Sequence, residues 1–171
     1  MTSGCDDAEW TSSVSLEPMV KEDVEAVRAI DEISFPSAWS VGSYLRDLRN
    51  SNSYYIVARL TGRIIGYGGM WVVEDEAHIS TLAVHPDRRR HGLGRRLLSH
   101  LMEAARGRGV KRVTLEVRAP NSAARRLYES FGFQIVGLIP RYYGDTGEDA
   151  IVMHRHLSEE EGQEAAAEEG S

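Results

Sequence analysis

The chain has 171 residues, of which 42% are hydrophobic, and a formal net charge of −6. This length fits one domain with a sizeable core, and the longest apolar runs are far shorter than the ~20 residues of a membrane span. The single cysteine, Cys5, excludes an internal disulfide and is typical of a reducing compartment. Because acidic residues stand where a secretory signal would be basic, we expect a cytoplasmic protein without membrane contact.

The negative charge is concentrated at the C-terminus. Residues 158–171 hold six glutamates and no basic residue, and the rest of the chain has 20 acidic and 20 basic residues. This balance does not indicate bulk attraction to nucleic acid, so no nucleic-acid partner is expected. Composition therefore predicts a disordered leader at residues 1–12, one folded domain at 13–157 and an acidic disordered tail at 158–171.

Hydrophobic spacing predicts the elements of the first half of the domain. They are a strand at 14–16, helices at 21–33 and 41–49, and strands at 54–60, 63–73 and 76–85. Ser40 is a suitable N-cap for the second helix, and Trp39 before it is placed to pack on Tyr44.

The second half begins with a long helix that ends near Gly107 and Gly109. A strand at 112–118, a helix at 121–130 capped by Asn121 and a final hairpin of strands at 133–143 and 148–157 complete the domain. This order predicts a mixed α/β (α+β) fold. We expect a mostly antiparallel sheet of about seven strands, flanked on both faces by about four helices.

The most informative segment links the strand at 76–85 to the long helix. It contains Arg88, Arg89 and Arg90, Gly92 and Gly94 stand at the start of the helix, and Arg95 follows them. Glycine lets a backbone approach a ligand closely, and the N–H groups and dipole of a helix N-terminus favour an anion. The segment predicts a pyrophosphate site; a basic turn before a glycine-rich helix start is the simpler alternative.

Known phosphate loops differ in the residues that come after the last glycine. A P-loop needs Lys and then Ser or Thr, but Arg95 and Arg96 come after Gly94, which excludes it. A dinucleotide fingerprint needs a third glycine where Leu97 stands, which weakens that interpretation. The pattern Arg/Gln-x-x-Gly-x-Gly/Ala matches residues 89–94, and this match resembles the acetyl-CoA loop of the GNAT superfamily of N-acetyltransferases.

Three further residues have simple explanations when each is taken alone. Glu116 alternates with buried valines and would lie on a solvated strand face, Asn121 would be a helix cap, and Tyr128 would belong to the core. Taken together, residues 115–124 and 127–133 resemble the later half of a GNAT domain.

Two more segments narrow the resemblance. Residues 35–40, and residues 141–143 together with 147–153, resemble segments of the RimI-type ribosomal-protein alanine N-acetyltransferases. The resemblance covers residues 14–157, so it implies a GNAT fold for the predicted domain. Arg88 departs from the family's usual loop sequence, because many relatives carry an aromatic residue at this position.

The resemblance implies a role for each matching residue. Glu116 would be the general base, acting through water, and Tyr128 the general acid at the leaving thiolate. Acetyl-CoA would contact Leu82, Ala83, Val84, Arg90, His91, Gly92, Leu93, Gly94, Arg95 and Asn121. The acceptor would contact Phe35, Trp39, Tyr142 and Tyr143, and the simple alternative for the two tyrosines is aromatic pairing in a hairpin.

The chemistry favours direct transfer in a ternary complex. The only thiol, Cys5, lies in the predicted leader, so a covalent acetyl-enzyme is not expected. A carboxylate such as Glu116 would serve better as a base if burial raised its pKa. His154 and His156 share a strand face without an evident third ligand, so no metal is expected.

The activity that the resemblance implies is acetylation of a protein N-terminus, namely the N-terminal alanine of a small-subunit ribosomal protein, by a monomer or weak dimer. One alternative is a GNAT enzyme that acetylates lysine side chains or small amines. A second is a regulatory protein that binds CoA without turnover, which intact Glu116 and Tyr128 argue against. A nucleotide-binding module is the weakest alternative.

Overall fold

A computed structural model describes residues 10–157. Its strands and α-helices occur in the predicted order and are β1 (Ser15–Pro18), α1 (Val24–Ser34), α2 (Val41–Arg49), β2 (Ser53–Leu60), β3 (Arg63–Val73), β4 (Glu76–Val84), α3 (Leu93–Gly107), β5 (Arg112–Arg118), α4 (Ser122–Ser130), β6 (Gln134–Tyr143) and β7 (Glu148–His156). Two short 3₁₀ helices lie at Lys21–Asp23 and Pro86–Arg88. Residues 10–12, which the sequence places in the leader, are helical. Residues 1–9 of the leader and the acidic tail lie outside the described residues.

The seven strands form one sheet in the order β1-β2-β3-β4-β5-β7-β6. The pairs β1–β2, β5–β7 and β6–β7 are antiparallel. Strands β4 and β5 run parallel, with Glu76 opposite Arg112 and His78 opposite Thr114. The predicted mixed fold with a mostly antiparallel, seven-stranded sheet is therefore confirmed.

The described chain divides into two compact units, residues 10–70 with 80–101 and residues 71–79 with 102–157. In the first, Val24, Val27 and Ile30 recur along one face of α1 and pack with Tyr44 and Tyr67. In the second, strict alternation along β5 buries its apolar side chains, and Phe133 packs edge-to-face on Tyr128. The single domain predicted at 13–157 spans both units.

Local capping fixes where the helices begin. Ser40 accepts a hydrogen bond from the N–H of Ser43 at 3.1 Å, and the Trp39 ring lies 5.4 Å from that of Tyr44, as predicted. Helix α1 begins at Val24, three residues later than expected. The reason is that the Asp23 carboxylate accepts the N–H of Val20 at 2.9 Å and closes a 3₁₀ turn first.

No helix within residues 10–157 combines the length and the apolar character that crossing a membrane requires.

The packing of β2 on β3 predicts the effect of one added methyl group. A Cβ at Gly69 would overlap the ring of Tyr55, which is buried and held by a hydrogen bond from its hydroxyl to Asp47 at 2.7 Å. We expect Gly69→Ala to lower the free energy of unfolding by about 1–3 kcal/mol, the usual cost of overpacking a core. Urea unfolding measures this loss. Gly144→Ala, where a Cβ meets nothing within 4 Å, is the control, and equal losses in both variants would contradict the prediction.

Candidate active site

The segment between β4 and α3 is a tightly braced turn. The N–H of His85 donates to the carbonyl of Ile65 at 2.8 Å, and its Nδ1 accepts the N–H of Asp87 at 3.1 Å. Arg89 donates through Nε to the carbonyl of Val84 at 2.9 Å and through its guanidinium to Ser34 Oγ at 3.2 Å. Arg89 therefore holds the loop in shape.

The start of α3 has the geometry of an anion site. Arg90 and Gly92 adopt left-handed backbone conformations, with φ of +69° and +81°. The N–H of Arg96 donates to the carbonyl of Gly92 at 3.1 Å, which closes the first turn. By helix geometry, the N–H groups before that bond point out of the helix end, where an anion is favoured. Leu93 is buried, so only its backbone can serve a ligand.

Trp10 is a part of the loop's surroundings that sequence reasoning missed. Its ring lies 5.1 Å from that of His91, edge to face, and the guanidinium of Arg88 lies 5.0 Å from the ring centre. The departure at Arg88 thus places a cation against an aromatic ring at the outer edge of the loop. The only sequence signal was a tryptophan in a segment otherwise predicted to be disordered.

Asp31 fixes the segment at residues 35–40 that was predicted to contact the acceptor. Its side chain is 2% exposed and accepts the N–H of Trp39 at 2.9 Å as well as the hydroxyl of Tyr67. The N–H of Phe35 donates to the backbone carbonyl of Asp31 at 3.0 Å. One buried residue therefore holds both Phe35 and Trp39, and sequence reasoning did not find it.

In the second unit, Glu116 has a partner that the sequence did not reveal. Its Oε2 lies 2.5 Å from Nε2 of His78, whose ring stacks on that of Trp71 at 5.2 Å. The hydrogen bond from His78 holds the pKa of Glu116 below its usual value, although burial acts in the opposite direction. The lowering effect of the hydrogen bond exceeds the raising effect of burial. The pKa of Glu116 is therefore lowered and not raised, which makes the carboxylate a weaker base.

Tyr128 is buried at the centre of the same unit, with its ring 5.8 Å from that of Phe133. Burial raises its pKa, and the charge of Tyr143 adds to the rise. Burial also raises the pKa of Tyr143 to about 12, against the lowering effect of Arg118, and Glu116 contributes to the rise. Tyr143 is therefore within electrostatic range of both Glu116 and Tyr128.

Arg118 holds Tyr143 and the turn between β6 and β7. Its guanidinium lies 3.9 Å from the centre of the Tyr143 ring and pairs with Asp145 at 3.0 Å and Glu148 at 3.3 Å. Tyr142 packs edge-to-face on Tyr143 and is 49% exposed. The alternation along β5 predicts that Arg118 and Glu116 lie on the same face of the strand, and this was the sequence signal that could have identified Arg118 as part of the site.

Asn121 caps α4 by accepting the N–H of Ala124 at 3.2 Å through Oδ1. Its contact with CoA stays a prediction. No group of three or more histidine, cysteine or acidic side chains within residues 10–157 is arranged to hold a metal.

The predicted site residues thus form two sets, each in its own unit. The first unit contains Phe35, Trp39 and the residues at 82–95 that are predicted to contact acetyl-CoA. The second contains Asn121 and a group formed by Glu116, Tyr128, Tyr142 and Tyr143. The segment that links β4 to α3 is called the donor loop below.

Comparison with known proteins identifies the family. The acetyltransferase (GNAT) family model matches residues 24–133. The [ribosomal protein bS18]-alanine N-acetyltransferase of Escherichia coli is 39% identical over 140 residues, 80% of this chain and 93% of its own. The N-alpha-acetyltransferase RimI of Mycobacterium tuberculosis is 36% identical over 151 residues, 85% of this chain and 94% of its own. The crystal structure of the Escherichia coli ribosomal-protein-S18-alanine enzyme superposes with a TM-score of 0.79 at 34% identity, covering 85% of this chain and 94% of that one.

The left-handed backbone at Gly92 gives a test of the donor loop. We expect Gly92→Ala to weaken acetyl-CoA binding about tenfold, because a side chain costs about 1–2 kcal/mol in this conformation and tends to unwind the loop. Isothermal titration calorimetry measures the Kd.

The matched control is Gly62→Ala in the turn between β2 and β3. Gly62 has the same φ of +81° and, like Gly92, no neighbour within 4 Å of an added Cβ. Both variants should lose similar stability, and only Gly92→Ala should change the Kd. An unchanged Kd in Gly92→Ala would show that the loop does not bind acetyl-CoA.

Proposed function

The chain belongs to the GNAT family of acetyltransferases, and we propose that it transfers the acetyl group of acetyl-CoA to the N-terminal amine of a protein. The proposed acceptor is the N-terminal alanine of a ribosomal protein, which places the reaction in the cytoplasm. Relatives at 36–39% identity that carry N-α- and ribosomal-protein-alanine acetyltransferase names support this choice.

The donor site fits a pyrophosphate-containing ligand. The backbone N–H groups at the start of α3 would bind the pyrophosphate, and Arg90, His91 and Arg95 would surround it. The backbone of residues 82–84 at the end of β4 would bind the pantetheine arm, and Asn121 would also contact it. Because the turn is braced by its own hydrogen bonds, little ordering is needed when the ligand binds.

The observation that carries the choice of acceptor is the 2.5 Å hydrogen bond between His78 and Glu116, which holds the pKa of Glu116 below its usual value. An amine attacks a thioester only when it is neutral. A peptide α-amine has a pKa near 7.7–8.0 and a lysine near 10.4, a difference of roughly 3.4 kcal/mol in the cost of deprotonation. A carboxylate that is a weak base suits the α-amine better than the lysine.

In the proposed reaction, Glu116 accepts the amine proton through water while the amine nitrogen bonds to the thioester carbon. The C–S bond breaks, and Tyr128 protonates the departing thiolate. The raised pKa of Tyr128 keeps its hydroxyl protonated until that charge develops. Transfer is direct and needs no acetyl-enzyme.

The acceptor would meet aromatic side chains from two segments. Phe35 and Trp39 stand in the loop that Asp31 holds, and Tyr142 and Tyr143 stand at the end of β6. These side chains would fix the first residues of a peptide by packing. A monomer or weak dimer is sufficient for this chemistry.

We expect Glu116→Gln and Tyr128→Phe each to lower kcat about 10²-fold or more, the usual scale for acid–base groups, while the Kd of acetyl-CoA is unchanged. Mass spectrometry of an alanine-starting peptide incubated with acetyl-CoA measures the rate. Glu129→Gln and Tyr54→Phe are controls with the same chemical changes outside the site. Unchanged turnover in both test variants would refute the assignment, and transfer to a lysine of a peptide blocked at its α-amine would identify a different acceptor.

We expect Asp31→Asn to raise the KM for the peptide about tenfold with little change in the Kd of acetyl-CoA. The substitution weakens the bonds that fix the backbone of Trp39, which costs about 1.5–3 kcal/mol for hydrogen bonds to a charged group. Steady-state kinetics with varied peptide measures it. Asp47→Asn, which weakens another Asp–Tyr bond of the same unit, should lower stability without raising KM; equal KM values in the two variants would contradict the prediction.

A further inference from the structure

Trp10 lies beside the donor loop, in the same compact unit. We propose that its ring is the surface on which the adenine base of acetyl-CoA packs, so that residues 10–14 form part of the donor site. This inference rests on the proposed function, because it assumes that acetyl-CoA is the ligand of the loop. Trp10 would bind the far end of the donor and would not contact the reacting atoms.

The segment at residues 10–14 is hydrogen-bonded to the beginning of α3. Residues 10–12 are helical, and the N–H of Ser13 donates to the carbonyl of Trp10 at 3.0 Å. The guanidinium of Arg96 donates to the carbonyls of Thr11 at 2.7 Å and of Val14 at 3.1 Å. Val14 is itself buried. These contacts fix the segment against the helix, so Trp10 has a defined position next to the donor loop.

Two contacts with the donor loop orient the ring of Trp10. The guanidinium of Arg88 lies 5.0 Å from the ring centre, and the ring of His91 lies 5.1 Å away with an angle of 76° between the planes. Cation–π and edge-to-face contacts both depend on the orientation of the ring. Trp10, Arg88 and His91 are each only partly buried. The ring is therefore held in place and is still accessible to a ligand.

The covalent structure of acetyl-CoA determines which part of the ligand would meet Trp10. Its pyrophosphate joins the pantetheine arm at one end to 3′-phosphoadenosine at the other. In the proposed function, the backbone of residues 82–84 binds the arm and His91 stands beside the pyrophosphate. The adenosine then lies on the side of the pyrophosphate that the arm does not occupy. The Trp10 ring is 5.1 Å from that of His91, a separation that a nucleoside attached to the pyrophosphate can span.

An aromatic ring suits adenine because the base is uncharged and flat. Stacking covers a face of the base without requiring a hydrogen-bond partner for each of its polar atoms. The alternative role for Trp10 is to brace the donor loop through Arg88 and His91. The two roles have different consequences. Bracing affects every ligand that places a phosphate on the loop, whereas stacking affects only a ligand that carries the base.

Trp10→Leu, measured with three donors, separates stacking from bracing. Leucine keeps an apolar side chain beside the loop but offers no ring. The donors are acetyl-CoA, acetyl-dephospho-CoA, which lacks the 3′-phosphate but keeps the adenine, and S-acetyl-4′-phosphopantetheine, which lacks the nucleoside but keeps one phosphate. Isothermal titration calorimetry measures each Kd without an acceptor, by displacement where binding is weak.

We expect Trp10→Leu to raise the Kd of acetyl-CoA and of acetyl-dephospho-CoA about tenfold and to leave the Kd of S-acetyl-4′-phosphopantetheine unchanged. Trp10→Phe, which retains a ring, should keep most of the affinity. Tyr54→Leu is the matched control, because it removes a ring that stacks at 6.1 Å on His100 of α3 in the same unit. Its three Kd values should equal those of the wild type.

Equal losses with all three donors would mean that Trp10 only braces the loop, and would overturn the stacking. A loss that disappears with acetyl-dephospho-CoA would assign the effect to the 3′-phosphate and would overturn it as well, as would unchanged Kd values in Trp10→Leu. A wild-type enzyme that binds acetyl-CoA but acetylates no α-amine would refute the proposed acceptor, and the Kd values would still decide the stacking. A wild-type enzyme that does not bind acetyl-CoA would overturn both proposals.

Discussion

A carboxylate that is largely withdrawn from water keeps its charge only if a donor compensates for the lost hydration. His78 is that donor for Glu116, at 2.5 Å. The bond lowers the pKa of Glu116, and in the proposed mechanism a weak base favours an acceptor amine that is already partly neutral at physiological pH. The stacking of Trp71 on His78 keeps the donor in place. The proposed acceptor class therefore depends on one hydrogen bond between adjacent strands.

Asp31 is a second buried carboxylate whose charge is compensated by hydrogen-bond donors, and its bonds fix the conformation of a loop. It is more deeply buried than Glu116, and its oxygens accept the hydroxyl of Tyr67 and the N–H of Trp39. Satisfying a buried carboxylate with neutral donors leaves it nothing to exchange with a substrate, so it serves as an anchor. Glu116 remains 24% exposed, so water can reach it, as its proposed role in proton transfer requires.

Features that depend on nearby residues were predictable from the sequence. The bounds of α2, β3 and β5 match their predicted ranges, because a cap at Ser40, a turn at Gly62 and strict alternation along β5 are local signals. The partners of the site residues were not predictable. His78 and Glu116 are 38 residues apart, and Asp31 and Tyr67 are 36 apart, so only the register of the sheet and the packing of α1 bring them together. The direction of the Glu116 pKa shift was not predictable for the same reason, since alternation places a side chain on a face but does not identify its neighbour.

The arginine-rich loop shows why net charge overstates an anion site. Arg89 braces the backbone of the loop, Arg96 donates to the carbonyls of Thr11 and Val14, and Arg88 lies over Trp10. These three cations are engaged within the protein, and together they stabilise a backbone that turns sharply through a left-handed Gly92 into α3. Anion binding then depends on oriented N–H groups at a fixed helix end more than on the number of arginines. The hydrogen bonds of this loop are made within the protein, so its shape does not depend on a ligand, and a preformed loop is what precise positioning of a reactant requires.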